Sequence, residues 1–352
     1  MALRFFDGFG TDNDAEIYET NSTITLLTTP ATPANHSPDF RQFGDSGARF
    51  AQTHFGQISG DTLIVGMLLY VLNPGPDDVL MYMRDTAEPS TNNWSVEHDS
   101  VGSRITLVAG GVRLDTPNGS FPEDEWHYLE FKYKFHNSTG TMEILIDGVS
   151  EASATGLDTI PAGADGTIDW FQLGGTTTND VNLFYMTDFY ICDGSGTIRN
   201  DFLGAVESQP LLPDADGFHT DFTPLSSTNI SNVDEPGNHD GDTSYNAGTT
   251  AGDQDSYNMT TLTGLAGRQI LGLQVEVIAE KNDTGTKHAR PFIRPASADT
   301  FGPSQPLANG VYGMLKNGAA MHIWEQNPDD SLDWEQTDID GLEIGIEARD
   351  VA

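Results

Sequence analysis

The sequence predicts an all-β chain built as two β-sandwich domains, the larger over residues 1–206 and a smaller antiparallel one over 207–352. Three observations carry this. Helical periodicity is almost absent, whereas short apolar runs with a period of two recur between clusters of glycine, threonine and asparagine. The length, 352 residues, exceeds one ordinary domain. Past residue 200 the composition changes: from Asn200 to Gly267 there is no Lys or Arg while eleven acidic residues appear, and "ESQPLLPDADG" at 207–217 has the prolines and glycine of a linker.

The strands follow in order. "ARFAQTHF" at 48–55, "TLIVGMLLYVL" at 62–72, "DVLMYMR" at 78–84 and "RITLVAG" at 104–110 are apolar runs bounded by turn residues. The run at 62–72 is apolar on both faces, which predicts a central strand covered on each side. In "WHYLEFKYKFHNSTGTMEILIDG" at 126–148, Leu129, Phe131, Tyr133 and Phe135 share one face and Glu130, Lys132 and Lys134 the other, and Met142, Ile144 and Ile146 repeat the pattern after a turn. Gly140 is expected to supply the backbone freedom of that reversal, and Asp147-Gly148 to form a type I′ turn. "IDWFQLGG" at 168–175 and "NLFYMTDFYICDG" at 182–194 complete the first domain. In the second, "LQVEVIAEK" at 273–281 and "LEIGIEA" at 342–348 alternate as strands, and "TDIDG" at 337–341 predicts one helical turn capped by Thr337.

Charge narrows the partners. Lys plus Arg number 16 against 53 Asp plus Glu, a formal charge of −37, which repels phosphate backbones and anionic lipid and favours cations and basic surfaces. Nucleic acid and membrane are therefore not expected partners. No run of eighteen apolar residues occurs, and the start "MALRFFDGFG" breaks at Asp7, too soon for a secretory signal core. Cys192 is the single cysteine, so an internal disulfide is excluded and a buried, inert thiol is expected.

The chemistry-bearing motifs are weak. Retaining glycosidases need an acid and a nucleophilic carboxylate close together on one face, whereas "EDE" at 123–125 places three adjacent carboxylates in a loop before Trp126, so the chain is expected to be non-enzymatic. The string "GDSG" at 44–47 has none of the surroundings of a serine nucleophile. The nine histidines lack zinc-binding spacings. No cofactor is required, and calcium is the one candidate ion. Asp214 and Asp216, Asp240 and Asp242, and Asp253 and Asp255 are carboxylates two apart near glycine, a pattern calcium can use in loops, although solvated turns are the better reading of each. Trp94, Trp126, Trp170, Trp324 and Trp334 would stack on sugar rings wherever they reach the surface.

Two longer stretches add a resemblance. "EWHYLEFKYKF" followed by "GTMEILIDGV" is similar to the signature of concanavalin A-like, laminin-G-type lectin sandwiches. "MTDFYICDGSGTIRNDFLGAVESQPLLPDADG", "NVDEPGNHDGDTSYNAGTTAGDQDSY" and "LDWEQTDIDGLEIGIE" resemble a family of tailed-bacteriophage virion proteins in which a lectin-like jelly roll precedes a second β-domain. The resemblance implies a non-enzymatic structural protein, made in the host cytoplasm and assembled into the virion as a homo-oligomer. Decoration of the head or tail exterior, docked on other virion proteins and touching host-surface glycan, is the concrete expectation. A carbohydrate-binding adhesin or tail-fibre module for host recognition is the alternative.

Overall fold

The computed structural model describes residues 2–9, 17–18, 20–21, 25–44, 50–58, 60–72, 78–85, 94–174, 183–233, 239–265, 267–316 and 321–350. The chain forms two compact units, Met1–Gly10 with Tyr18–Ser208, and Thr11–Ile17 with Gln209–Ala352. Composition alone places the division at 206/207. It gives no sign that residues 11–17 group with the second unit.

The first unit is a β-sandwich. Its strands in chain order are β1 (Leu3–Asp7), β2 (Thr20–Asn21), β3 (Thr25–Leu27), β4 (Phe40–Gly44), β5 (Ala51–His54), β6 (Thr62–Leu72), β7 (Asp78–Asp85) and β8 (Trp94–Asp99). They continue as β9 (Arg104–Ala109), β10 (Val112–Asp115), β11 (Trp126–Lys134), β12 (Gly140–Ile146), β13 (Val149–Leu157), β14 (Ile168–Leu173) and β15 (Leu183–Asp193). One sheet has eight strands in the order β13-β12-β11-β6-β15-β4-β3, with β1 on β15; the other has seven, β10-β9-β8-β7-β14-β5-β2. All the pairings in both are antiparallel.

The period-two pattern sorts the side chains. Leu129, Phe131, Tyr133, Met142 and Ile144 point inward and are buried. Tyr133 reaches the opposite sheet, where its hydroxyl donates to Ser95 O (3.0 Å) and Val108 O (3.2 Å). The doubly apolar run is β6, which lies between β11 and β15 and is buried on both faces, as its pattern requires. Asp147 (φ 52°) and Gly148 (φ 78°) are both left-handed, the signature of a type I′ turn.

Two sequence readings need correction here. Gly140 is not left-handed; a side chain there would collide with Thr159 and with Lys134 O (2.9 Å), so the glycine provides space rather than torsional freedom. Glu130, expected on the solvent face, is 1% exposed. Its carboxylate accepts from Tyr190 Oη (2.5 Å) and Gly204 N (2.9 Å), and burial raises its pKa despite those bonds.

The cover over Glu130 is the segment following β15. Lys132 pairs with Asp201 (2.6 Å) and lies over the Phe202 ring (4.2 Å), Leu203 N donates to Tyr190 Oη (3.1 Å), and Ser208 N donates to Asp188 Oδ1 (3.0 Å). Asp188 is fully buried, also accepts from His36 Nδ1 (2.8 Å) and Ser37 N (3.1 Å), and is raised in pKa by burial. Residues 199–208 thus form a strap across the outer face of β11 and β15.

In the second unit, β16 (Pro213–Thr220), β17 (Thr223–Pro224), β18 (Asn246–Ala247), β19 (Gln254–Met259), β20 (Leu273–Gln274), β21 (Ile278–Ala279), β22 (His288–Arg294) and β23 (Thr300–Phe301) follow one another. They are succeeded by β24 (Gln305–Pro306), β25 (Gly313–Met314), β26 (Ile323–Trp324), the helix α1 (Gln336–Asp340) and β27 (Glu343–Arg349). A six-stranded antiparallel sheet, β16-β19-β27-β22-β23 with β24 on β22, carries the unit, and the short ladders β17-β18, β20-β26 and β21-β25 accompany it. The core joins Ile293 and Leu342 to Val275, Trp324, Trp334 and Ile339.

Three readings change in this unit. The linker-like "PDADG" is the beginning of β16. "LQVEVIAEK" is not one strand but two pieces, β20 and β21, paired to different partners, β26 and β25. The helical turn is present, but Glu335 rather than Thr337 stands at its cap, with Glu335 N donating to Asp338 Oδ2 (2.8 Å).

Candidate glycan-contact face

The outer face of the eight-stranded sheet is covered at one end by the strap and carries aromatic rings at the other. Register aligns Trp126 on β11 with Tyr70 on β6, Tyr70 with Tyr185 on β15, and Tyr185 with Gln42 on β4. Directly opposed residues share a face, so the four side chains form a row across four strands, about 14 Å long at the usual strand spacing. All four are half-buried. Tyr70 and Tyr185 stack with centroids 5.6 Å apart, and Tyr70 meets Trp126 edge-on at 5.4 Å. Phe40, fully buried and on the same face as Gln42, flanks the row at 5.1 Å from Trp126 and 5.2 Å from Tyr185.

Polar groups frame these rings. Trp126 Nε1 is buried and has no hydrogen-bond partner among the described residues. Glu123 and Asp124 lie in the turn leading into β11, where Asp124 takes a left-handed conformation (φ 61°) and its N–H donates to Val71 O (3.0 Å). Burial, then the charge of Asp124, raises the pKa of Glu123. Burial, then Asp124 and Tyr185, raises that of Tyr70, which keeps the phenol protonated. Aromatic faces beside hydrogen-bonding groups are what a sugar ring requires, since its C–H face stacks while its rim of hydroxyls exchanges hydrogen bonds.

Of the five tryptophans, Trp126 is the one at this face. Trp94, Trp324 and Trp334 are buried, and Trp94 and Trp334 spend their indole N–H on Thr159 O and Trp324 O (2.9 Å each). Trp170 is 5% exposed beneath Arg84, on the other sheet. Tyr70, Tyr185 and Gln42 escape the sequence reading because only strand register brings them together.

The six calcium candidates separate into different local roles. Asp214 is exposed on β16, and Asp216 Oδ1 accepts from Ile230 N (2.6 Å). Asp240 accepts from Ser244 N (3.2 Å) and Oγ (2.9 Å), closing a turn. Asp242 accepts from Tyr312 Oη (3.2 Å), whose pKa rises to about 12, chiefly through burial and then this bond. Asp253 Oδ2 holds Thr249 N (2.9 Å) and Thr250 N (2.8 Å), while Asp255 is fully buried. No group of three or more His, Cys, Asp or Glu arranged to hold a metal ion occurs among the described residues. The string "GDSG" falls, beyond Gly44, outside the described residues.

The acidic second unit yields a direct prediction. Its melting temperature in the full chain should climb with sodium chloride, because salt screens like charges over a Debye length of about 10 Å at 0.1 M. Calorimetry at matched ionic strength then separates screening from binding. A further gain at low millimolar calcium would assign one of these turns a bound ion.

No protein-family model matches the chain, and no curated protein is found similar to it. Among solved structures, the chain is similar to an endo-β-1,4-glucuronan lyase from the fungus Trichoderma reesei, with 11% identity over 54% of this chain and 95% of that one and a TM-score of 0.40. It is also similar to a carbohydrate esterase of the Shiga toxin-encoding bacteriophage phi24B, with 12% identity over 50% of this chain and 89% of that one and a TM-score of 0.36. A third is the receptor-binding domain of botulinum neurotoxin type G, with 12% identity over 71% of this chain and 72% of that one and a TM-score of 0.34.

Proposed function

We propose that this protein is a non-enzymatic structural component of a tailed-bacteriophage particle, mounted on the head or tail exterior, whose first unit contacts host-surface glycan. The observation that carries the glycan contact is the row Trp126–Tyr70–Tyr185–Gln42, whose indole N–H has no hydrogen-bond partner among the described residues. The virion role rests on the likeness of residues 186–217, 232–257 and 332–347 to phage structural proteins. Carboxylates of the first unit act as structural acceptors, which supports a role without catalysis: Asp85 Oδ2 accepts from the N–H groups of Asp165, Gly166 and Thr167, and Asp147 from Tyr128 N and His127 Nδ1.

Assembly on a particle makes weak sites useful, because many copies raise the effective concentration of the glycan. Mass spectrometry of purified particles should find this chain in stoichiometric amount. Its presence only in lysates of infected cells would overturn the virion reading. Retention on purified host-surface polysaccharide should fall about tenfold per site on Trp126→Ala, since a lost stacking contact is worth about 1.4 kcal/mol. Unchanged retention would remove the row from the account. The adhesin alternative rests on the same row and separates by copy number, with few copies at the tail tip instead of many over the surface.

A further inference from the structure

We infer that the row Trp126–Tyr70–Tyr185–Gln42 selects a saccharide bearing protonated amines, and that Glu123 and Asp124 set this choice; the inference rests on the row being the glycan contact. The chain itself brings the two acids to the row. Trp126 opens β11, and the three residues before it, Glu123, Asp124 and Glu125, are all carboxylates. Trp126 lies opposite Tyr70, and the N–H of Asp124 donates to the carbonyl of Val71, the next residue along β6 (3.0 Å). The acidic turn is thereby tied to β6 beside one ring of the row.

No cation of the protein answers these charges. Glu125 stands 3.8 Å from His127 Nε2, but the side chains of Glu123 and Asp124 make no hydrogen bond or ion pair among the described residues. Of the four strands that supply the row, β6 and β15 contain no Lys or Arg. Lys132 and Lys134 close the far end of β11, where they pair with Asp201 (2.6 Å) and Asp61 (3.7 Å). Arg41 of β4 is fully buried and alternates with Gln42 to the opposite face. Glu123 is half-buried against the like charge of Asp124, whose field also reaches the Tyr70 phenol. An incoming cation relieves this repulsion, a hydroxyl leaves most of it in place, and a carboxylate or phosphate adds to it.

The rings and the indole say what must carry the cation. Half-buried Trp and Tyr faces take the C–H face of a sugar and also attract a positive charge lying over them. The buried Trp126 Nε1, without a hydrogen-bond partner among the described residues, calls for an acceptor, which a sugar hydroxyl or ring oxygen supplies. An amine-bearing saccharide offers the flat face, the acceptor and the ammonium on one ring. A neutral saccharide lacks the third, and a lysine-rich peptide lacks the first.

Titration calorimetry of the full chain at about pH 6, where an ordinary amine is protonated, would compare tetramers of β-1,4-linked glucosamine, of cellulose and of lysine. Cellotetraose carries a hydroxyl in place of each amine, and tetralysine carries charge without sugar rings. The glucosamine tetramer should bind about tenfold more tightly than either, the worth of one hydrogen bond to a charged group, and its lead over cellotetraose should shrink as sodium chloride rises. Glu123→Gln combined with Asp124→Asn keeps the shape of both side chains, and asparagine suits the left-handed backbone at 124 (φ 61°). This double variant should bring the glucosamine tetramer down to the level of cellotetraose and leave cellotetraose unchanged. The inference is overturned if the parent binds the glucosamine tetramer no better than cellotetraose, if tetralysine binds equally well, if the double variant keeps the preference, or if the glucosamine tetramer still binds after Trp126→Ala. Equal binding of both saccharides that is lost in Trp126→Ala would end this inference and leave the row as a glycan contact. Retention on host polysaccharide that ignores Trp126→Ala removes the row itself, so the two failures are told apart.

Discussion

Replacing Tyr190 by alanine should destabilise the first unit by about 4 kcal/mol, among the largest effects of any single change in it. The ring is buried, and its hydroxyl both donates to Glu130 and accepts from Leu203 N. The ring also explains the glycine in the middle of the central strand: a Cβ on Gly66 would lie 2.6 Å from Tyr190 Cζ and closer still to Cε1. Gly66→Ala in the parent should therefore destabilise by about 2–3 kcal/mol through overpacking. In the Tyr190→Ala background the same change has room, so the double variant should lose about as much as Tyr190→Ala alone. Urea unfolding of the four proteins measures this. Simple additivity would show that the ring and the glycine do not share the space assigned to them.

Asp255→Ala should destabilise the second unit by about 3 kcal/mol or more, because several buried neutral donors lose their acceptor at about 1–3 kcal/mol each. Its carboxylate, fully buried on β19, accepts from Asn229 Nδ2 (2.7 Å at Oδ1, 2.6 Å at Oδ2), Tyr257 Oη (2.6 Å) and Phe222 N (3.3 Å), and removal leaves those donors unsatisfied. Burial, the leading cause, raises its pKa, with the bonds from Tyr257 and Asn229 opposing. A carboxyl whose value is higher folded than unfolded binds its proton more readily when folded. Its stabilising contribution is present in full below the unfolded value and is lost as pH rises through the folded one. Glu130 and Asp188, raised by the same cause, act in the same direction in the first unit. Both units should consequently gain stability as pH is lowered from neutral toward the upper edge of the carboxylate range. Asp255→Asn should flatten that dependence in the second unit only, a difference that denaturant titrations at a series of pH values would resolve.

Long strands were legible in the sequence because one face of each meets a core. The run 62–72 became β6 with the same limits, and the hairpin from Trp126 to Gly148 kept its inward set, since a one-residue slip would turn every apolar side chain to solvent. The second unit was less legible: Leu273, Val275 and Val277 alternate like a strand, yet tertiary contacts divide the segment between β26 and β25. Glu130 was misread for a related reason, because a charged residue on an outward face gives no sign that a distant segment will cover it. The candidate face was illegible in principle. Trp126, Tyr70 and Tyr185 lie 56 and 59 residues apart, so pairing and not spacing unites them.

The strap gives the first unit a mechanical property. A pull on the chain from its C-terminal side enters this unit at Ser208 rather than at the end of β15. Its first resistance is the Ser208–Asp188 bond, followed in turn by the contacts of Gly204, Leu203 and Asp201. Bonds loaded one after another open at low force, like a zipper, whereas the antiparallel ladder of β15 against β6 shares the load among its bonds. The fourteen residues between Asp193 and Ser208 can extend to at most about 50 Å once peeled, before the sandwich bears tension. The same short segment that buries Glu130 therefore stands first in line when the chain is pulled from its C-terminal side.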